Sequence, residues 1–378
     1  MRTCYFHLSF ALLLLALVQL SHPQNLVHGA DKENTAESQF TGDEPIEMPP
    51  ALLQMLHDQL VWDELKLRPK QIEKVVALLR PLDAIWWPSR IQPATDRLAI
   101  QRQLTEKLKE SLLTVLDRVQ WLRLEQLERQ ALGTRIVLQK DVAAVLQLSE
   151  EDHSAFRLAA LKTDRTATEL SKKVASGSDL GSLQEELQAI KDEEHHGIVD
   201  SLSNEQKQKI ANLRGEPFDF SAVQRIYPLA PSLELQTSQW LAKALPGNLQ
   251  DLKGQVVAVH FYAFQCINCK RNLPHYTAWH KDYADQGLVV IGIQTPETSS
   301  ERDAEKVAAA AVENDIQYPL LMDTESENWK GWGTTMWPTV YLIDKEGFIR
   351  TWWQGELNWK GNPGEANFRK HIEALLAE

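Results

Sequence analysis

Two cysteines, Cys266 and Cys269, stand two residues apart in the run Phe264-Gln265-Cys266-Ile267-Asn268-Cys269-Lys270. Such a pair can cycle between dithiol and disulfide, can ligate a metal if further donors are near, or can be chemically inert. Its surroundings favour redox chemistry. Val256 to Tyr262 is apolar, β-branched and aromatic and reads as a buried strand. Lys270 to Tyr283 carries Leu273, Tyr276 and Trp279 at three-residue steps and reads as a helix. The pair therefore falls where a strand ends and a helix begins. The free N–H groups and positive dipole end of that helix favour an anion, so the first sulfur is the easier one to ionise. Thiolate is the nucleophile, and such placement lowers a cysteine pKa from about 8.5 to between ~3.5 and ~7.5.

Zinc would need two further ligands. No second Cys pair exists, and His275 and His280 belong to the helix that follows. One bridge closing so small a loop adds little stability. A redox dithiol is the leading reading, with zinc and inert structure as its alternatives, and neither a cofactor nor a metal is expected.

The elements that must position this pair belong to a chain of 378 residues, long enough for two domains plus tails. With 43% hydrophobic and 24% charged residues it can bury ordinary globular cores. A net charge of −12 argues against nucleic acid, whose phosphates would repel this surface. No apolar run reaches the roughly 18 residues of a transmembrane helix. Residues 1–30 read as a signal peptide: Arg2 supplies a positive start, Leu8 to Leu20 an apolar core, and Val27 to Ala30 small residues for cleavage. The expected location is the periplasm or another exported compartment, with a membrane anchor as the alternative if the signal stays uncleaved. Cys4 lies within this segment and lacks the small-residue context of a lipid-attachment site, so the mature protein would hold only Cys266 and Cys269.

Residues 31–50 are polar and acidic and read as a flexible leader. Residues 51–225 read as an all-helical domain. Leu53, Leu56 and Leu60 mark one apolar stripe, and Ile72, Val75, Val76 and Leu79 another. Trp86-Trp87-Pro88 is expected to break the run, and one long helix to follow from Ile100 past Leu122 to a stop at Gly133. Leu67-Arg68-Pro69-Lys70-Gln71, Leu148-Ser149-Glu150-Glu151-Asp152 and Leu202-Ser203-Asn204-Glu205-Gln206 each open a helix, by a proline in the first turn or by a capping box. These three segments resemble the Leu-Thr/Ser-x-x-Gln helices of Spy/CpxP-type periplasmic proteins; an ordinary helical bundle is the alternative. Asp192 to His196 reads as a solvated acidic face, because five consecutive helical residues cannot converge on one ion. Ser176-Gly177-Ser178 and Gly215-Glu216-Pro217 are loop punctuation, and Tyr227 to Pro231 an inter-domain joint.

Beyond the joint, strands alternate with helices. Leu288 to Gln294, Leu320 to Met322, Thr339 to Ile343 and Phe348 to Trp353 are the further strands, with Asp344-Lys345-Glu346-Gly347 as a hairpin turn. Helices are expected from Ser300, capped with Asp303, to about Asn314, and from Glu365 to Ala377. A central sheet covered by helices on both faces follows, so 226–378 is a three-layer α/β/α domain behind the all-helical one.

Residues 228 to 378 resemble the thioredoxin fold, and within it the exported TlpA/ResA/DipZ group that carries the AhpC/TSA redoxin label. The resemblance rests on Ala230-Pro231, Leu252-Lys253-Gly254-Gln255-Val256-Val257, Cys266-Ile267-Asn268-Cys269 with Leu273-Pro274, Gly287 to Gly292, and Trp337-Pro338-Thr339. Cys-Ile-Asn-Cys is especially similar to the DipZ C-terminal domains. The resemblance implies a thiol–disulfide oxidoreductase in which Cys266 attacks and Cys269, one turn later and more buried, resolves the mixed disulfide. It implies that Pro338 is the cis-proline facing the dithiol, a plain trans turn being the alternative. His260 lies six residues before Cys266, where thioredoxins carry a buried acid; it is either a proton relay or a hydrogen-bonded core residue. Trp337, bulkier than the family's usual threonine, and Phe264-Gln265, in place of the usual tryptophan, are the candidate substrate-binding residues. Asn272 stands where ResA-like proteins carry a glutamate.

The expected substrate is a disulfide-containing protein or a small thiol-reactive compound, with reduction favoured over oxidation and an envelope thiol reductant recharging the pair. A peroxidase is one rival. The family's peroxidases use a threonine and a proline at the places held here by Ala263 and Val259. A helical binding or chaperone module with an accessory redox domain is the other.

Overall fold

The computed structural model describes residues 46, 48, 50–175, 180–245 and 247–378. The expected signal segment with Cys4, nearly all of the leader, and Ser176-Gly177-Ser178 lie outside them. Two compact units divide the chain. The first takes its described residues from Met1–Met55, Leu60–Gln71 and Lys109–Val223; the second comprises Leu56–Gln59, Ile72–Leu108 and Gln224–Glu378. The border expected at 225/226 has a counterpart at Val223/Gln224, but Ile72–Leu108, read from sequence as part of a separate helical domain, falls in the second unit.

In chain order the helices up to that border are α1 (Ala51–Met55), α2 (Gln59–Glu64), α3 (Pro69–Ser89), α4 (Ala94–Leu112), α5 (Arg118–Ala131), α6 (Lys140–Leu146), α7 (Glu150–Ala175), α8 (Leu180–Ser201) and α9 (Asn204–Arg214). Pro88 does not break α3 ahead of Trp86; the helix closes one residue beyond it. The single helix expected from Ile100 to Leu132 is two. Asp117 takes the N–H groups of Val119 and Gln120, each at 3.0 Å, and Gln120 Oε1 takes the Asp117 N–H at 3.1 Å. This capping box starts α5 afresh, a local signal stronger than the continuing apolar period. Boxes at Ser149/Asp152 and Ser203/Gln206 open α7 and α9.

The acidic run on α8 is only partly solvated. Glu193 is exposed, but Glu194 turns inward, where both its oxygens accept from Arg135 at 2.8 Å; Arg135 also meets Asp164 at 2.8 Å. The helical period explains this: 194 is the inward position between the outward 193 and 196.

The second unit is built on a six-stranded sheet: β1 (Gln239–Ala242), β2 (Val256–Tyr262), β3 (Leu288–Gln294), β4 (Leu320–Met322), β5 (Thr339–Ile343) and β6 (Ile349–Gln354). Their spatial order is β1-β4-β3-β2-β5-β6. β2, β3 and β4 are parallel; β5 and β6 continue antiparallel on one side, and β1 closes the other edge antiparallel to β4. The central strands bury both faces, hence their unbroken apolar runs. β1, half-exposed and only four residues long, is missing from the sequence reading because its pattern carries no such run. The accompanying helices are α10 (Ile267–Tyr283), α11 (Ala304–Glu313), α12 (Glu327–Gly331) and α13 (Gly364–Ala377). α11 starts after Asp303, which caps it, rather than at Ser300; residues Ser299–Arg302 form a separate 3-10 turn.

Tyr276 and Trp279 of α10 and Phe368 and Ile372 of α13 pack on Val256, Ala258 and Val340 in one buried cluster. Trp87 of α3 stands edge-on to Tyr227, Tyr341 and Trp352, with centroids at 6.1, 6.0 and 5.1 Å. Buried Asp83 joins the same unit to its flanks, taking His57 Nε2 at 3.1 Å and the Leu229 N–H at 3.0 Å. These bonds and edge-on ring contacts are why the α3 segment belongs with the sheet: Tyr341 and Trp352 are large aromatic groups that something apolar has to cover.

Candidate active site

β2 ends at Tyr262, and Ala263-Phe264-Gln265 carry the chain into α10, with Cys266 just ahead of the first turn. The Cys266 N–H donates to the Ala263 carbonyl at 3.1 Å, and the Lys270 N–H to the Cys266 carbonyl at 3.0 Å. The helical ladder thus begins at Cys266 itself, and the N–H groups of the first turn are left free for its sulfur.

Both sulfurs are free thiols, Cys266 partly exposed and Cys269 fully buried. The Cys269 thiol, together with the N–H groups of Cys269 and Asn268, brings the Cys266 thiol down to about 7, against partial burial and the nearby Glu297 carboxylate. Burial pushes the Cys269 thiol far up, and the Cys266 sulfur beside it adds to the rise. Two cysteines one helical turn apart therefore differ strongly in acidity. About half of Cys266 is thiolate at neutral pH, whereas Cys269 holds its proton.

The Trp337–Pro338 peptide is cis. The register Phe261↔Thr339 puts Pro338 beside the end of β2, next to the turn that carries the cysteines. Trp337 lies stacked on Trp329 at 4.1 Å, its Nε1 donating to the Thr295 carbonyl at 3.2 Å. Phe264, Cys266 and Trp337 pack, partly exposed, against the buried cluster that holds Cys269. The structure therefore gathers Cys266, Cys269, Phe264 and the Trp337–Pro338 bond at one end of the sheet.

Gln265 is exposed, and its side-chain oxygen accepts from the Thr298 and Ser300 hydroxyls at 2.9 and 3.0 Å. His260, two residues before the end of β2, is wholly buried. Its Nε2 shares a 3.0 Å hydrogen bond with the Tyr318 hydroxyl, and the ring stacks on Tyr276 at 4.2 Å. Burial pushes this imidazole down to about 3. Its hydrogen-bond partner among the described residues is Tyr318 rather than either cysteine, and Nδ1 has none.

Asn272 is buried on α10. Its amide N–H2 donates to the Gly355 carbonyl at 3.0 Å, and its oxygen accepts the Leu357 N–H at 3.0 Å, tying α10 to the segment after β6. Glu301 went unnoticed in the sequence. Its buried carboxylate accepts the Gln265 N–H at 2.8 Å. The available signal was Thr298-x-x-Glu301, a capping box hidden beside the stronger Asp303 cap.

The AhpC/TSA family model matches residues 228–352. DipZ of Mycobacterium tuberculosis (strain CDC 1551 / Oshkosh) is 41% identical over 125 residues, 32% of this chain and 18% of DipZ. The chain thus spans about a fifth of the length of that relative. Thioredoxin-like protein YneN of Bacillus subtilis (strain 168) is 32% identical over 118 residues, 30% of this chain and 67% of YneN. Among solved structures, a thiol:disulfide interchange protein of the thioredoxin family from Chlorobium tepidum TLS aligns with TM-score 0.31 at 25% identity, over 39% of this chain and 95% of that one.

Proposed function

Because the chain belongs to the thioredoxin-like proteins of the TlpA/DipZ type, we propose that it is an exported thiol–disulfide oxidoreductase that reduces protein disulfides through Cys266 and Cys269. The Cys266 thiolate attacks one sulfur of a substrate disulfide, forming a mixed disulfide and releasing the other sulfur as a thiolate. Cys269 then attacks the Cys266 sulfur. The substrate's remaining sulfur leaves with the bonding electrons and takes up the proton that Cys269 gives up, so substrate departs reduced and the pair becomes a disulfide. An envelope thiol reductant, by the reverse exchange, returns it to the dithiol.

The observation that carries this reading is the contrast between the two thiols: one partly exposed and held at about 7, the other buried and held protonated. An exposed thiolate meets substrate, while a protonated second thiol stays out of the first exchange and waits. Beside them Pro338 offers main-chain groups to an extended peptide, with Trp337, Phe264 and Gln265 as its flanks. The signal-like N-terminus supports export.

Two variants test the proposal. Cys269→Ala should trap clients as mixed disulfides on Cys266 that a reducing agent releases. Cys266→Ala should abolish reduction of an insulin disulfide, and activity left intact in that variant would end the enzyme reading.

A further inference from the structure

Glu301 is a fully buried carboxylate whose hydrogen-bond partners are main-chain N–H groups drawn from two separate segments. Oε1 accepts the Gln265 N–H at 2.8 Å; Oε2 accepts the N–H groups of Glu297 and Thr298 at 2.7 and 2.8 Å. The last two bonds are those of a local cap. The first is not, because Gln265 lies 36 positions earlier in the chain and immediately precedes the attacking cysteine. The same short turn grips Gln265 twice more, through the Thr298 and Ser300 hydroxyls on its side-chain oxygen. A buried carboxylate is costly unless its acceptors are filled, so these bonds tie the two segments to each other.

We propose that Glu301 is a positioning residue for the exchange reaction: by clamping the Gln265 main chain to the turn after β3, it sets where the Cys266 sulfur sits against the N–H groups of α10. This inference rests on the attacking role assigned to Cys266. A thiolate gains from N–H donors only when they converge on the sulfur, and a loosened turn would let Cys266 drift from Asn268 and Cys269.

The sign of one measurement separates this from a bare charge effect. Glu297, on the same turn, raises the Cys266 pKa by charge alone. Had Glu301 acted only through its charge, neutralising it would make Cys266 more acidic. As a clamp, its loss makes Cys266 less acidic. The test is the pH dependence of Cys266 alkylation in the reduced full chain, wild type against Glu301→Gln, with circular dichroism to establish folding. Glutamine keeps the volume but puts an N–H2 group where one acceptor stood, so one side of the clamp opens. The expected result is a midpoint higher by about one unit, a tenfold loss of thiolate below it. An unchanged or lower midpoint overturns the proposal. Should Glu301→Gln not fold, Glu301→Asp, which keeps the charge but is too short to hold the Gln265 N–H and the turn at once, decides in the same way: a rise supports the clamp, and no change or a fall overturns it. Alkylation needs no substrate, so this result stands apart from whether the protein reduces insulin.

Discussion

Arg90 donates a hydrogen bond of 2.8 Å to the Tyr341 hydroxyl, from just beyond the end of α3 to the middle of β5. The same nitrogen reaches the Gly333 carbonyl at 2.8 Å, and the guanidinium lies 3.9 Å over the Trp87 ring. A planar group that donates along its edge and stacks on its face is doing what lysine cannot. Hydrogen bonds to charged groups contribute roughly 1.5–3 kcal/mol each. Arg90→Ala should therefore lower the urea midpoint of the second unit by the equivalent of about 2–3 kcal/mol, and Arg90→Lys should recover less than half. A loss under about 0.5 kcal/mol, the level of an ordinary surface change, would remove Arg90 from the account of this unit.

Cys269 is the first cause of the lowered Cys266 pKa, through its thiol, with its own N–H as a lesser one. Alanine at 269 removes the S–H donor and leaves the N–H. The alkylation midpoint of Cys266 should accordingly move above about 7 in Cys269→Ala, toward the ordinary thiol value of about 8.5. A midpoint that stays put would assign the acidity to the helix N-terminus alone.

His260 makes the fold sensitive to acid. Its folded pKa, about 3, lies below the unfolded value of about 6.5, so between them the unfolded chain binds the extra proton. Its contribution is complete above about pH 6.5 and declines as the pH falls toward 3, by up to about 1.4 kcal/mol per unit. Comparing urea stability at pH 7 and pH 5, wild type should lose about 2 kcal/mol more than His260→Gln. Equal losses in the two proteins would mean that His260 is not held neutral.

In the first unit, Glu194 neutralises a buried Arg135 whose guanidinium it raises further above its ordinary pKa. Removing one partner of a buried pair costs more than the pair contributes, because the other charge is left desolvated. Arg135 keeps Asp164 as a partner at 2.8 Å, so Glu194→Ala should destabilise that unit by about 3 kcal/mol, the lower end for breaking a buried pair, read as a lower denaturant midpoint. The exposed Glu193→Ala, which breaks only a surface pair with Lys162, should cost less than about 1 kcal/mol. Equal effects would contradict the inward placement of 194.

Much of the site lay open in the primary structure because its determinants are local. The apolar run Val256–Tyr262, the helix-forming run behind Lys270 and the two-residue cysteine spacing are consecutive, so the placement of Cys266 at a helix N-terminus needed no partner from elsewhere. Capping boxes at Ser149 and Ser203 were legible for the same reason: their donors and acceptors lie three residues apart.

What depended on distant residues was not legible. Glu301 meets Gln265 across 36 positions and Arg90 meets Tyr341 across 251, and no spacing rule connects such pairs. Whether Ile72–Leu108 joined the helices that follow it or the sheet was settled by Trp87 meeting Tyr341 and Trp352, since an amphipathic stripe says that a face is buried and not against what. Likewise Glu194, one of five polar neighbours in sequence, became the partner of a buried arginine only when α8 was rotated into its packed position. By itself the amino-acid order determined the dithiol and the strand and helix that flank it, because hydrogen bonds and side-chain periods act between near neighbours. The unequal acidity of the two thiols, and the contacts that hold their turn, were decided by the tertiary structure, because burial and electrostatic surroundings exist only once remote segments meet.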